Sequence, residues 1–376
     1  MIYLDHNATT PCHPSVIEAM VPYFGEHYAN PSSKHVLGQD AQGALGAARR
    51  EVAAMLGADP RGVIFTSSAT EAIHMAILGT LGEERHTVIS TVVEHPATLL
   101  LLERLEASGQ LVIRLPVDCH GALDLDLLDM VLSLHAKQAI LSLLWANNET
   151  GVLFPIAAIA EQCRRHDVLL HVDATQAVGK VPIDLGRLPI DLLSFSAHKL
   201  QGPKGVGVLY VRRGLALTPL LSGHQEAHRR GGTENLPGIV GLAQAARLVP
   251  GSLARMPEVA ALRQRLEQAC MSLYPGAVVN GEQAQRVANT CNISFPGIEA
   301  EVLLMLLEQR GVIASQGAAC VAGETEPSHV LRAMGQSREQ ALSAVRFSLS
   351  PATTAQEIEQ TVAALAEAIV QCEALA

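Results

Sequence analysis

Between residues 61 and 199 the chain repeats one unit: a short apolar run, a polar loop, and a stretch of helical periodicity. The apolar runs fall at 62–65, 87–92, 111–116, 139–144, 169–172 and 192–196, and helical stretches at 71–81, from 96, at 124–134 and at 156–166. Strands joined by helical crossovers run parallel and need helices on both faces of their sheet. The pattern therefore predicts an α/β fold on a mostly parallel sheet. Ligands of such sheets sit outside the carboxyl ends of the strands, so functional side chains are to be sought there.

Five strand exits carry polar clusters: Thr70, Glu94-His95, Asn147-Asn148-Glu149, Asp173 with Gln176, and Ser196 with His198-Lys199. Singly, each has an ordinary explanation. Serine, threonine and aspartate cap helices, a histidine suits a loop, and a lysine suits a surface. At consecutive strand ends they describe a pocket. A lysine that ends a buried strand beside a histidine and hydroxyls suits Schiff-base chemistry. Asp173, one strand–helix unit earlier, suits a protonated ring nitrogen and would keep a pyridinium ring an electron sink. The hydroxyl-rich run at 66–70 opens a helix, where free amides bind phosphate. Ser196 and His198 add donors, and His95 could lie over a planar ring. Together these residue types describe a pyridoxal phosphate pocket.

Beyond about residue 250 the pattern changes. An amphipathic helix at 257–273, an alternating strand at 290–295, a helix at 299–310, short strands near 312–315 and 346–349, and a terminal helix from 354 suggest a smaller α+β domain. The expected division is a large domain over 15–255 and a small one over 1–14 and 256–376. With 48% apolar and 17% charged residues the chain can bury a large core and is too apolar for disorder. A net charge of -10 argues against nonspecific nucleic-acid or membrane-surface binding. No apolar run reaches the roughly 18 residues of a membrane span, and no basic-then-apolar leader opens the chain, so a cytoplasmic protein is expected. The seven cysteines include no Cys-x-x-Cys pair, and no metal site is expected.

The sequence resembles the cysteine desulfurases of the fold-type I pyridoxal phosphate enzymes, in the branch of the nitrogen-fixation and general iron–sulfur-cluster enzymes. The resemblance spans nearly the whole chain. It rests on Tyr3-Leu4-Asp5-His6-Asn7-Ala8-Thr9-Thr10-Pro11, Asn30-Pro31-Ser32-Ser33, Phe65-Thr66-Ser67-Ser68-Ala69-Thr70-Glu71 and Glu94-His95. Further matches are Asn147-Asn148-Glu149-Thr150-Gly151, His171-Val172-Asp173-Ala174-Thr175-Gln176, Ser196-Ala197-His198-Lys199 and Gly231-Gly232-Thr233-Glu234-Asn235. Gly317-Ala318-Ala319-Cys320, Glu326-Pro327-Ser328-His329-Val330-Leu331-Arg332 and Arg346-Phe347-Ser348-Leu349 complete it.

The resemblance implies that Lys199 anchors pyridoxal 5'-phosphate, Asp173 pairs with its ring nitrogen, Gln176 bonds the ring hydroxyl and His95 stacks on the ring and shuttles a proton. Ala69, Thr70, Ser196 and His198 would bind the phosphate. Thr233 would reach the phosphate held by the partner subunit of a homodimer. Asn148 would lie near cofactor and substrate, and Arg346 would clamp the carboxylate of L-cysteine with its planar fork. Cys320 would be the nucleophile that takes the sulfur as a persulfide, leaving L-alanine, and passes it to an acceptor or scaffold protein, most plainly for iron–sulfur cluster assembly. The loop between Cys320 and Glu326 is similar to that of members which hand sulfur directly to scaffold proteins. The alternative activity is a selenocysteine lyase or a related β-elimination enzyme on the same scaffold. His6, Ile73-His74 and Gln316 depart from common family residues and leave substrate preference and docking open.

Overall fold

The computed structural model describes residues 1–316 and 326–375. In chain order its strands are β1 (Ile2–Tyr3), β2 (Val63–Thr66), β3 (Thr87–Thr91), β4 (Leu111–Leu115), β5 (Ala139–Leu144) and β6 (Leu169–Asp173). Then follow β7 (Leu192–Ser196), β8 (Gly207–Val211), β9 (Val278–Val279), β10 (Thr290–Ser294), β11 (Val312–Ile313) and β12 (Ala344–Ser348). Seven of them form the main sheet in the order β2-β8-β7-β6-β5-β3-β4. Only β8 runs antiparallel to its neighbours, so β2 through β7 all end on one edge. This is the mostly parallel α/β sheet that the repeated strand–helix unit predicts.

The central strands β5, β6 and β7 are buried along their whole length, as continuous apolar runs in a parallel sheet should be. One face packs on the helices Val36–Leu56 and Ile156–His166, the other on Ala69–Thr80 and Pro96–Ala107. A separate core gathers Leu4, Met256, Val259, Ile293, Phe347 and Leu365 around the three-stranded sheet β12-β10-β9. The N-terminus joins this second unit through parallel pairing of β1 with β11.

One element differs from the sequence expectation. The helix expected from residue 257 begins at Leu236 and runs unbroken to Leu273, through Pro250 and Pro257. Each proline deletes one intrahelical hydrogen bond, which reads as a stop. Burial of Ile239, Leu242, Ala246 and Val249 in the large core, and of Val259 and Leu266 in the second core, outweighs that loss. The helix therefore bridges both cores.

Candidate active site

The strand edges bring the predicted residues together by register. Asp173 ends β6, lies opposite Leu144 of β5 on one side and Ser194 of β7 on the other, and is buried. Trp145-Ala146-Asn147-Asn148 leave β5 beside it, and Ser196-Ala197-His198-Lys199 leave β7. The chain turns into a single 3-10 turn, Ala197–Lys199, because Gly202 closes under it: a Cβ there would come within 2.8 Å of the Ala197 carbonyl oxygen.

Lys199 Nζ donates to the backbone carbonyls of Asn7 (2.5 Å) and Ala8 (2.7 Å), both from the N-terminal segment. Burial, reinforced by the Arg346 guanidinium and opposed by Asp5 and Asp173, lowers its pKa to about 8. Asp173 Oδ1 accepts from the Thr175 amide (2.9 Å) and hydroxyl (2.5 Å), which hold the carboxylate at the strand end. His95 caps the helix Pro96–Ala107, with Nδ1 accepting from the Ala97 amide at 3.1 Å. Desolvation lowers its pKa, the Asp173 charge pulls the other way, and Lys199 and His329 add to the lowering. The balance favours the neutral imidazole.

Glu94, next in sequence, is buried, and one carboxyl oxygen accepts from the Thr91 hydroxyl at 2.6 Å. Burial and the Asp173 charge push its pKa up to about 8. Gln176 is also buried: its amide nitrogen donates to Asn7 O (2.9 Å) and its oxygen accepts from Lys180 Nζ (2.5 Å).

At the start of the helix Ala69–Thr80 the Ser68 side chain caps the Glu71 amide. The amides of Ala69 and Thr70 in that first turn have no intrahelical acceptor. Gly207 of β8 lets this turn approach the sheet, since a Cβ there would meet the Ser68 carbonyl carbon at 2.4 Å. His198 Nδ1 pairs with the Thr9 hydroxyl at 3.1 Å, and burial with Lys199 and Lys204 lowers its pKa to about 4. Ser196 is buried at the end of β7. Thr233 is exposed and lines a cleft with Phe65, Thr66, Ser67 and Arg230 of the same chain.

Arg346 lies on β12 and is buried. Nη2 pairs with Asp5 Oδ1 at 2.6 Å, Nη1 donates to the Asn148 carbonyl at 3.1 Å, and the buried Nε has no partner among the described residues. Asn148 is therefore fixed through its backbone beside Arg346. Cys320 lies outside the described residues. Its flanks attach near the site: Ser315 pairs with Arg346 through backbone bonds, and the Ser328 hydroxyl donates to buried Glu149 at 2.5 Å.

Sequence reasoning assigned no role to Asn7, which is buried and ties its own segment to four others. Its side chain donates to Asn148 O and Thr290 Oγ1 and accepts from Lys180, while its carbonyl accepts from Lys199 and Gln176. Asp5 was missed for the same reason: both sit in a motif whose partners lie far off in sequence. The donor set fits a phosphorylated pyridine aldehyde. It offers a depressed amine, a buried carboxylate beside it and a helix N-terminus with free amides at the same sheet edge. Among the described residues, no group of three or more His, Cys, Asp or Glu could hold a metal ion.

Comparison with known proteins bears on this cluster directly. Residues 2–361 match the aminotransferase class-V family. The chain is 46% identical to the cysteine desulfurase of Nostoc sp. over its whole length and 94% of that protein. It is 47% identical to the cysteine desulfurase NifS of Azotobacter vinelandii, over 96% of this chain and 90% of that one. Among solved structures, a NifS-like protein matches with TM-score 0.92 and 35% identity over 98% of this chain and 99% of the other. DndA from Streptomyces lividans matches with TM-score 0.78 and 36% identity over 91% and 98% of the two chains.

Proposed function

Because the chain belongs to the aminotransferase class-V family, among its cysteine desulfurases, we propose that it desulfurates L-cysteine at this cluster, with Lys199 as cofactor anchor and Cys320 as sulfur acceptor. The observation that carries the reading is Lys199: an amine with a pKa of about 8, beside the strand end that holds Asp173. Pyridoxal phosphate, when bound, supplies an electron sink that labilises bonds at the amino acid's α- and β-carbons.

Asp173 would face the ring nitrogen, Gln176 the ring hydroxyl through its second amide N–H, and His95 the ring itself. The free amides of Ala69 and Thr70, with Ser196 and His198, would take the phosphate. Thr233 would reach the partner's phosphate in a homodimer. Arg346, whose Nε has no partner among the described residues and whose guanidinium is already oriented by Asp5, would hold the substrate carboxylate next to Asn148. With Nδ1 accepting from the Ala97 amide, neutral His95 would carry its proton on Nε2 and donate it toward the substrate, and Lys199 Nζ, near its own pKa, takes a proton up or gives one back.

The net reaction balances without an added oxidant. L-cysteine and the Cys320 thiol give L-alanine and a Cys320 persulfide: the C–S bond breaks, an S–S bond forms, and the β-carbon gains a proton. A solved relative at 32% identity is described as SspA in complex with cysteine, which supports the same substrate here. The persulfide would pass to an acceptor protein, in the first instance one that assembles iron–sulfur clusters. The desulfurase relatives do not favour the selenocysteine lyase reading. The large and small domains would divide at 15–255 against 1–14 with 256–376, as the two cores suggest. No helix among the described residues is long and apolar enough to cross a membrane, and we place the enzyme in the cytoplasm.

Absorbance of the loaded protein tests the anchor. Lys199→Ala is expected to lose the visible band of the bound cofactor; an unchanged band would reject Lys199 and point to Lys204.

A further inference from the structure

Lys180 has no part in the chemistry above, yet its Nζ lies inside the pocket wall. It donates to Gln176 Oε1 at 2.5 Å and to Asn7 Oδ1 at 2.8 Å. Among the described residues no carboxylate pairs with it. A lysine that gives up hydration for two neutral amide oxygens, close to the cations Lys199 and Arg346, is costly. Such a placement needs a compensating role.

The chemistry of the two amides identifies one. A side-chain amide has a donor end and an acceptor end, and its orientation follows from its partners. The amine of lysine always carries at least two N–H groups, so it can serve both amide oxygens in either protonation form. Seated against Gln176 Oε1, it turns the NH2 end the other way. One N–H of that end reaches Asn7 O at 2.9 Å, and among the described residues the second has no partner. Seated against Asn7 Oδ1, it also fixes the residue whose carbonyl receives Lys199 Nζ. We propose that Lys180 is a positioning residue for the cofactor: it locks the Gln176 amide with its donor edge toward the ring and locks Asn7 against Lys199.

The inference rests on Gln176 facing the cofactor, and the test separates the two claims. Apoprotein of wild type, Lys180→Met, Lys180→Gln and Gln176→Leu is titrated with pyridoxal phosphate, reading affinity and the position of the visible band, with thermal midpoints measured in parallel. Lys180→Met fills the space without a donor and is expected to weaken pyridoxal phosphate binding about tenfold and to shift the band, as loss of a charge-assisted hydrogen bond would. Lys180→Gln keeps an N–H donor and is expected to bind within about twofold of wild type with an unshifted band. Wild-type affinity and band in Lys180→Met, or equal losses in both Lys180 variants, would overturn the positioning role. Wild-type behaviour of Gln176→Leu would instead overturn the assignment of Gln176 to the ring. If Lys180→Met does not fold, the comparison of Lys180→Gln with wild type decides: a tenfold loss there rejects donor alignment.

Discussion

An amine with a pKa of about 8 is a different reagent from an ordinary lysine, because a usable fraction is unprotonated at neutral pH. Attack on a cofactor aldehyde needs that fraction. The rate at which apoprotein takes up pyridoxal phosphate is therefore expected to rise with pH to a midpoint near 8 and flatten above it, followed by absorbance after rapid mixing. A midpoint above 10 would mean that burial does not depress Lys199. Glu94 carries the opposite shift, from 4.5 to about 8, so the folded protein keeps a proton there that the unfolded chain releases. Its contribution to stability is fully present below about 4.5 and is lost as pH rises through about 8. Glu94→Gln copies the protonated form; its thermal midpoint is expected to gain on wild type from pH 5 to pH 8 and to stay level above. A constant difference between the two across that range would show that Glu94 does not titrate there. The residue scale is also where the sequence was least readable. Lys199, Asp173 and His95 declare themselves because each lies at or just past the carboxyl end of a strand. Asn7 and Asp5 act through partners more than a hundred residues away, and Lys180 joins Gln176, four residues before it, to the equally distant Asn7; no local spacing encodes those long-range links.

At the scale of elements, local signals competed with packing. The strands β5 and β7 lie where apolar runs of that length and composition demand, whereas the helix Leu236–Leu273 overrides two prolines that punctuate its sequence. The segment Gln225–His228 is the other case that sequence could not reveal. Glu226, Ala227 and His228 all hold positive φ (49°, 54° and 65°), a conformation that costs about 1–2 kcal/mol for each non-glycine residue. The buried Glu226 carboxylate offsets this strain. It takes a two-pronged pair from Arg49, at 2.6 and 2.8 Å, and a bond from the Phe65 amide at 3.1 Å. Through it the segment before Thr233 is fastened to β2. Glu226→Ala strands Arg49 and releases the strained turn, and is expected to cost about 3–5 kcal/mol in denaturant unfolding. A loss below about 1 kcal/mol would mean that the turn is held by something else.

Over the whole molecule the proposed active site is a junction. The large sheet supplies Asp173, His95 and Lys199, the N-terminal segment supplies Asp5 and Asn7, and β12 of the second core supplies Arg346. The α/β class was legible because strand–helix alternation leaves few topologies open, and the candidate residues of the large sheet gather at one strand edge. The junction was not, since it depends on how two separately built cores meet. It also sets the central claim, that sulfur leaves L-cysteine at this junction for Cys320. The most direct measurement is the mass of the Cys320 peptide after a single turnover with L-cysteine, taken with the yield of L-alanine, in wild type and Cys320→Ser. The account predicts one added sulfur atom on Cys320 per alanine released in wild type, and a Cys320→Ser protein that binds cofactor but forms neither product. Alanine released at the wild-type rate by Cys320→Ser, or sulfur found on another cysteine, would contradict it.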